Sequence, residues 1–283
     1  MERWRSYKSY LEGRFHVPVY RIGIDGGFSC PNRDKDGRGG CSFCDGTGAV
    51  AVYHRQSESG FHHDSAYDGS TASRLLPRLD SIESQIERGR EFLARRYGAE
   101  MFSLYFQSFT TSYRTDDMDI WVELGLQSGS DETLRRIGRG HDVASYIDAA
   151  ERLHRSGIKV STHIIIGLPG EDREDYERTA KVVGAAWSEG VKIHNLHIAG
   201  GTRMADEYLE GLVTASSEER YLEDAELVLR LLSPDTIIQR LVCETPAHRL
   251  IAPRSFPDKS RFLSHLKARM ERRGTRQGDL YGC

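Results

Sequence analysis

Cys30, Cys41 and Cys44 lie in one stretch of the chain, with ten residues and then two between them. Thiolates two residues apart can turn onto a single metal, and Gly37, Gly39 and Gly40 let the backbone fold tightly enough to bring the third sulfur to the same centre. Two metal chemistries compete for such a set. Zinc needs a fourth ligand, which His54, His62 or His63 would provide in a Cys₃His site. A four-iron cluster needs only three thiolates and leaves one iron open to a substrate or cofactor, so it implies catalysis. Three unrelated thiols are the poorest account, because cysteines without a metal usually sit singly in cores.

The elements around this stretch say where it would sit. Arg21 to Asp25 reads as a short strand running into it. Leu75, Leu79, Ile82, Ile86, Leu93 and Tyr97 follow a helical period closed by Gly98, Met101 to Gln107 reads as a second strand and Ile120 to Leu126 as a third. Asp142 caps a helix closed by Gly157, Ile158 to Gly167 is a buried strand, and Asp172 opens the next helix. Val191 to Ile198 is a further strand, Ser216 and Glu219 form a capping box, and Thr236 to Val242 is a last strand. Such alternation predicts an α/β fold with a parallel sheet and function in the loops after the strand ends. A cysteine set at the mouth of the first strand is where a redox cofactor sits, which favours iron, and Phe43 places an aromatic face beside it. Along the Val191 to Ile198 strand, His194 and His197 are expected on one side, either facing a substrate or as a satisfied core pair. Lys192 and His141 are open between the same two roles.

With 283 residues, 38% hydrophobic and 29% charged, and a net charge of -3, the composition is that of an ordinary globular chain. The apolar runs fall far short of the roughly 20 residues that cross a bilayer, and the charged N-terminus lacks the apolar region of a secretory signal, so a cytoplasmic protein is expected. Five cysteines, an odd number, argue against a disulfide framework. The charge is uneven: from Ala247 to Cys283 nine Lys and Arg face three acids. The Lys267 to Arg276 run is either a docking surface for phosphates or the solvated face of a last helix.

Five motifs in order carry a resemblance: Gly26-Gly27-Phe28-Ser29-Cys30-Pro31-Asn32-Arg33-Asp34, Gly37 to Cys44, Trp121 to Ser128, Arg139-Gly140-His141-Asp142, and His163 to Glu171. Together they resemble radical SAM proteins of the YhcC/YtqA (MnmL) type. The resemblance implies a partial (β/α) barrel over residues 1–200 and a C-terminal helical, basic extension over 201–283. It implies a 4Fe-4S cluster on Cys30, Cys41 and Cys44, and S-adenosylmethionine bound near Phe43, Gln107, Ser108, Glu123, Gln127, Ile165, Gly167, Leu168, Pro169 and Glu171. It further implies an electron donor such as flavodoxin or ferredoxin, and a tRNA wobble uridine as substrate. Two other functions stand beside it: a zinc-stabilised nucleic-acid-binding module, and radical chemistry on a small metabolite or a protein. The chain departs from the family between Tyr113 and Trp121, where too few residues remain for the usual helix, strand and helix, so a barrel short of one βα unit is expected.

Overall fold

The computed structural model describes residues 2–25, 40–44, 81–107, 119–245, 247–254 and 256–282. It divides into two compact units.

In the smaller unit, β1 (Val19–Asp25) pairs in parallel with β2 (Met101–Gln107), from Val19 opposite Met101 to Asp25 opposite Gln107. Helix α2 (Ile82–Tyr97) precedes β2, capped by Ser81 and ended by Gly98 at φ 63°. It rests on β1 so closely that a Cβ at Gly89 would stand 2.5 Å from Ile22. Ile22, Ile24, Leu93 and Ala99 form this unit's core. The expected helical stretch from Leu75 to Asp80 and the metal-ligand candidates Cys30, His54, His62 and His63 lie outside the described residues.

The larger unit is built on a parallel sheet of β3 (Trp121–Gln127), β4 (Lys159–Ile166), β5 (Gly190–Asn195) and β7 (Ile237–Arg240), in that order. Alternation along each strand divides the sheet's two faces. On one, Leu126, Val160, Ile164, Ile166, Val191, Ile193 and Ile238 form a buried core with apolar residues of the following helices. These are α4 (Val143–Arg155), α5 (Arg173–Ala185), α7 (Glu218–Leu231) and α8 (Lys259–Arg273). Asp142 caps α4, and Asp172 with Asp175 makes a capping box for α5, satisfying amides that the first turn leaves without partners. The cap of α7 is Ser217, not Ser216, which instead lies against Gly167.

Shorter pieces complete the order: α1 (Tyr7–Phe15), α3 (Asp131–Arg136), β6 (Ile198–Ala199), α6 (Arg203–Leu209) and β8 (Leu250–Ala252), the last antiparallel to β6. The strand expected from Val191 to Ile198 therefore ends at Asn195 and the chain re-pairs elsewhere. The long basic helix α8 is not simply a solvated face. Arg269 is buried and its guanidinium reaches Glu219, Glu223 and Glu226 of α7, at 2.5, 3.2 and 2.8 Å. It ties two helices together and is withdrawn from any phosphate, whereas Lys267, Arg272 and Arg276 stay exposed. No helix of the described residues is long and apolar enough to cross a membrane.

Candidate active site

Cys41 and Cys44 share one turn, closed by the Cys44 amide donating to the Cys41 carbonyl at 3.0 Å. The turn is fastened on both sides. The Ser42 amide donates to Ile137 O at 2.8 Å and Ser42 O accepts from the Met204 amide at 3.0 Å. Phe43 packs into an apolar cluster with Leu134, Ile137, Leu168, Leu196 and Met204, to which Ile165 also belongs. Phe43, Ile165 and Leu168, expected near one cofactor from distant parts of the chain, thus meet in one place.

Arg139 belongs to the Arg139–Asp142 motif, whose spacing alone assigns it no role. Its Nη1 donates to Cys41 Sγ at 3.4 Å and its Nη2 to Gly125 O at 2.8 Å, linking the cysteine turn to β3. His141 Nε2 stands 2.9 Å from the same carbonyl and 2.8 Å from Arg139 Nε. A Cβ on Gly125 would come within 2.6 Å of Arg139 and 2.5 Å of Gln127, so a side chain there would displace the ends of both. Gln127 itself takes φ 71°, uncommon for a side chain of its kind, at a point where the β3–β4 register shifts. The signal for Arg139 was its place two residues before His141 in a motif already noted.

On the face of the sheet away from the helical core, polar residues run across the strands. Glu123 on β3 has both oxygens engaged: Lys192 Nζ donates to Oε1, and His163 Nε2 lies 2.7 Å from Oε2. Lys192 is 1% exposed. The His163 and His194 rings stand 5.3 Å apart, and Arg240 Nη1 lies 3.4 Å from His194 Nε2. Burial, reinforced by the positive charges of neighbouring groups, holds His194 well below the usual histidine range. His197 does not share this face. It lies past the strand end, between Asn195 Nδ2 and Thr245 Oγ1 at 2.7 Å each, and burial lowers it to about 4. A separation of three residues cannot keep two side chains on one side of a two-residue period.

Gly167 to Glu171 forms the turn from β4 into α5, with Gly167 and Gly170 at φ 90° and 87° and the Glu171 amide donating to Leu168 O. Pro169 stands within this turn. Glu171 Oε1 accepts from Ser128 Oγ just beyond β3, while Oε2 is buried without a hydrogen-bond partner. Burial pushes this carboxyl up to about 8, so it braces the turn against β3 as a largely protonated acid at neutral pH. Gln107 closes β2, and Ser108 lies outside the described residues. No group of three metal-ligating side chains occurs among the described residues.

The donor chemistry fits an iron-sulfur cluster. Two sulfurs are presented from one hydrogen-bonded turn, one buried and one exposed, and a guanidinium stands beside the buried one to offset the negative charge of a ligating thiolate.

Comparison with known proteins agrees with this geometry. Residues 114–183 match the Radical SAM superfamily and residues 188–272 the Radical_SAM C-terminal domain. The chain is 30% identical to protein YhcC of Escherichia coli, covering 86% of this chain and 84% of that protein. It is 27% identical to the uncharacterized protein YtqA of Bacillus subtilis, covering 99% and 93%. That alignment spans 322 residues, longer than the chain itself, so YtqA carries residues with no counterpart here. A 108-residue stretch is 35% identical to the tRNA-2-methylthio-N(6)-dimethylallyladenosine synthase of Herpetosiphon aurantiacus, over 35% of this chain and 24% of that one. Among solved structures, Elp3 of Methanocaldococcus infernus superposes with a TM-score of 0.51 at 27% identity, over 56% of this chain and 37% of that one. With the cysteine turn, the Arg139 link and the parallel α/β sheet, these matches make the chain a member of the radical SAM superfamily, an enzyme class that uses a 4Fe-4S cluster and S-adenosylmethionine.

Proposed function

We propose that this protein is a cytoplasmic enzyme that cleaves S-adenosylmethionine reductively and modifies the wobble uridine of tRNA. The observation that carries the cofactor half is the fastened Cys41–Cys44 turn with Arg139 against Cys41. Cys41 and Cys44, with Cys30, would hold the cluster. When bound, the cluster and S-adenosylmethionine would supply radical chemistry to the substrate, given one electron from a donor such as flavodoxin or ferredoxin. Phe43, Ile165 and Leu168 exclude water from their side of the site, and the turn through Gly167 and Pro169 offers backbone to a purine. Gln127 lies over Gly125 beside Arg139, within the same group as the cysteine turn, and would contact the ribose or methionine end. Glu123, already bound by Lys192 and His163, presents an oriented carboxylate and not a mobile one.

Support for tRNA comes from the likeness to a protein whose name states a tRNA-modifying activity, and from the exposed cations of α8 and the turn after it. Because Arg269 is committed to three glutamates, phosphate contacts would fall to Lys267, Arg272 and Arg276. The test is an anaerobic reaction of reconstituted protein with dithionite, S-adenosylmethionine and bulk tRNA, followed by nucleoside mass analysis. The proposal expects tRNA to stimulate 5′-deoxyadenosine release and a mass change in the wobble nucleoside. Release without any nucleoside change would overturn the substrate assignment.

A further inference from the structure

Arg240 has a setting that the cofactor does not explain. On β7 the register against β5 shifts: Ile238 stands opposite Val191, but Arg240 and not Gln239 stands opposite Lys192. Without this bulge the two-residue alternation would place Gln239 beside Lys192 and turn Arg240 toward the apolar core formed by Ile238 and the helices. The bulge instead sets two cations side by side across neighbouring strands, an arrangement that is unfavourable when nothing compensates it. Lys192 is compensated by Glu123. Arg240 is not: among the described residues it has no ion pair, and its hydrogen bond is to the neutral ring of His194. A half-buried guanidinium presents five donors in a planar fork, and an imidazole nitrogen occupies only one edge of it. Other half-buried cations on this sheet and its helices, such as Lys159 with Asp119 and Arg230 with Asp279, have carboxylates of their own.

We propose that Arg240, with His194 beside it, is the receptor for an oxyanion carried by the substrate. A carboxylate or a phosphate matches the fork bidentately. The bulge aims the guanidinium, and the His194 contact holds its orientation before the ligand arrives. This inference rests on reading the polar face as the substrate side of a radical SAM enzyme. Its test needs no turnover, so loss of the anion site and loss of tRNA modification are separate results.

Cluster-bearing protein is melted in increasing sodium sulfate and, separately, sodium acetate, each against sodium chloride at equal ionic strength. A saturable rise in Tm with one or both anions is expected for the wild type, as ligand binding to the native state requires. Arg240→Gln weakens the apparent anion affinity by about tenfold or more, Arg240→Lys by less, and Arg152→Gln on the exposed face of α4 leaves it unchanged. No saturable rise in the wild type, or an undiminished one in Arg240→Gln, overturns the proposal. Should Arg240→Gln fail to fold, phenylglyoxal modification of the wild type decides: sulfate or acetate slows reaction at Arg240 but not at Arg152, and no slowing at Arg240, or equal slowing at both, overturns it. Equilibrium dialysis of S-adenosylmethionine separates the sources of the anion. Binding within about twofold of wild type in Arg240→Gln supports a substrate group, and a loss matching that of the inorganic anion would assign the guanidinium to the methionine carboxylate and overturn the proposal.

Discussion

Replacing Glu123 by Ala removes the carboxylate that pairs with the Lys192 ammonium, 1% exposed, and one partner of His163. Breaking a buried pair by deleting one member costs about 3–5 kcal/mol, because the remaining charge stays out of water. The Glu123 side chain is 21% exposed, so water relaxes part of that penalty and the lower end, about 3 kcal/mol, applies. For a chain of this size that corresponds to a fall in Tm of about 6–12 °C. Glu123→Gln keeps a hydrogen-bonding side chain and should fall between. The double variant Glu123→Ala, Lys192→Met also removes the buried cation and should recover at least half of the loss, giving a coupling energy well above the few tenths expected of independent sites. Calorimetric melting of the purified protein without S-adenosylmethionine measures this apart from catalysis. A single variant melting within about 2 °C of wild type, or strictly additive single changes, would refute the reasoning that Glu123 and Lys192 form one buried unit.

Three further outcomes follow from other parts of the structure. Arg269→Met removes the nearest ion-pair partner of Glu226, whose side chain is 4% exposed and keeps Arg273 and Thr275, and should cost about 2 kcal/mol, while exposed Arg272→Gln stays within about 0.5 kcal/mol; equal effects in urea melts would return Arg269 to the solvated face. Glu171 is raised in the folded protein to about 8 from an ordinary 4.5. The folded state therefore keeps a proton that the unfolded chain loses across that window, and stability falls there as pH rises, by up to about 1.4 kcal/mol per pH unit. Glu171→Gln should flatten the decline, and identical slopes would contradict the assignment. Burial pushes the Cys243 thiol up to about 12, so iodoacetamide at pH 8 should label it about 10³-fold faster in urea than in the native protein, read by peptide mass; comparable rates would show that the thiol is not buried.

The strands and helices that were legible in the sequence are those with a strong period and a local cap: α4 behind Asp142, α5 behind Asp172, and β2 and β4 within one residue of their expected ends. What failed was decided by contacts distant in sequence. Ser216 and Ser217 offer equal caps on paper, and packing of Ser216 against Gly167 selects the second. The end of β5 at Asn195 follows from re-pairing of Ile198 and Ala199 with Leu250 to Ala252, which no local pattern announces. In the site, the cysteine turn and Glu123 were visible as motifs, and Arg139 was quoted without a role. Arg240 left no trace, since its direction depends on a bulge. Basic residues of α8 read as one charged run, yet the burial of Arg269 separates it from its neighbours, and only three facing glutamates on α7 explain that.

The most direct test of the central claim is iron and sulfide analysis, with a visible spectrum, of protein prepared without oxygen, alongside Cys30→Ala, Cys41→Ala and Cys44→Ala. The account predicts a brown protein with iron and sulfide in the ratio of a 4Fe-4S cluster. Any of the three substitutions should abolish assembly, while Cys243→Ala retains it. Stoichiometric zinc without iron after anaerobic reconstitution, or loss of iron on changing Cys243 alone, would contradict it.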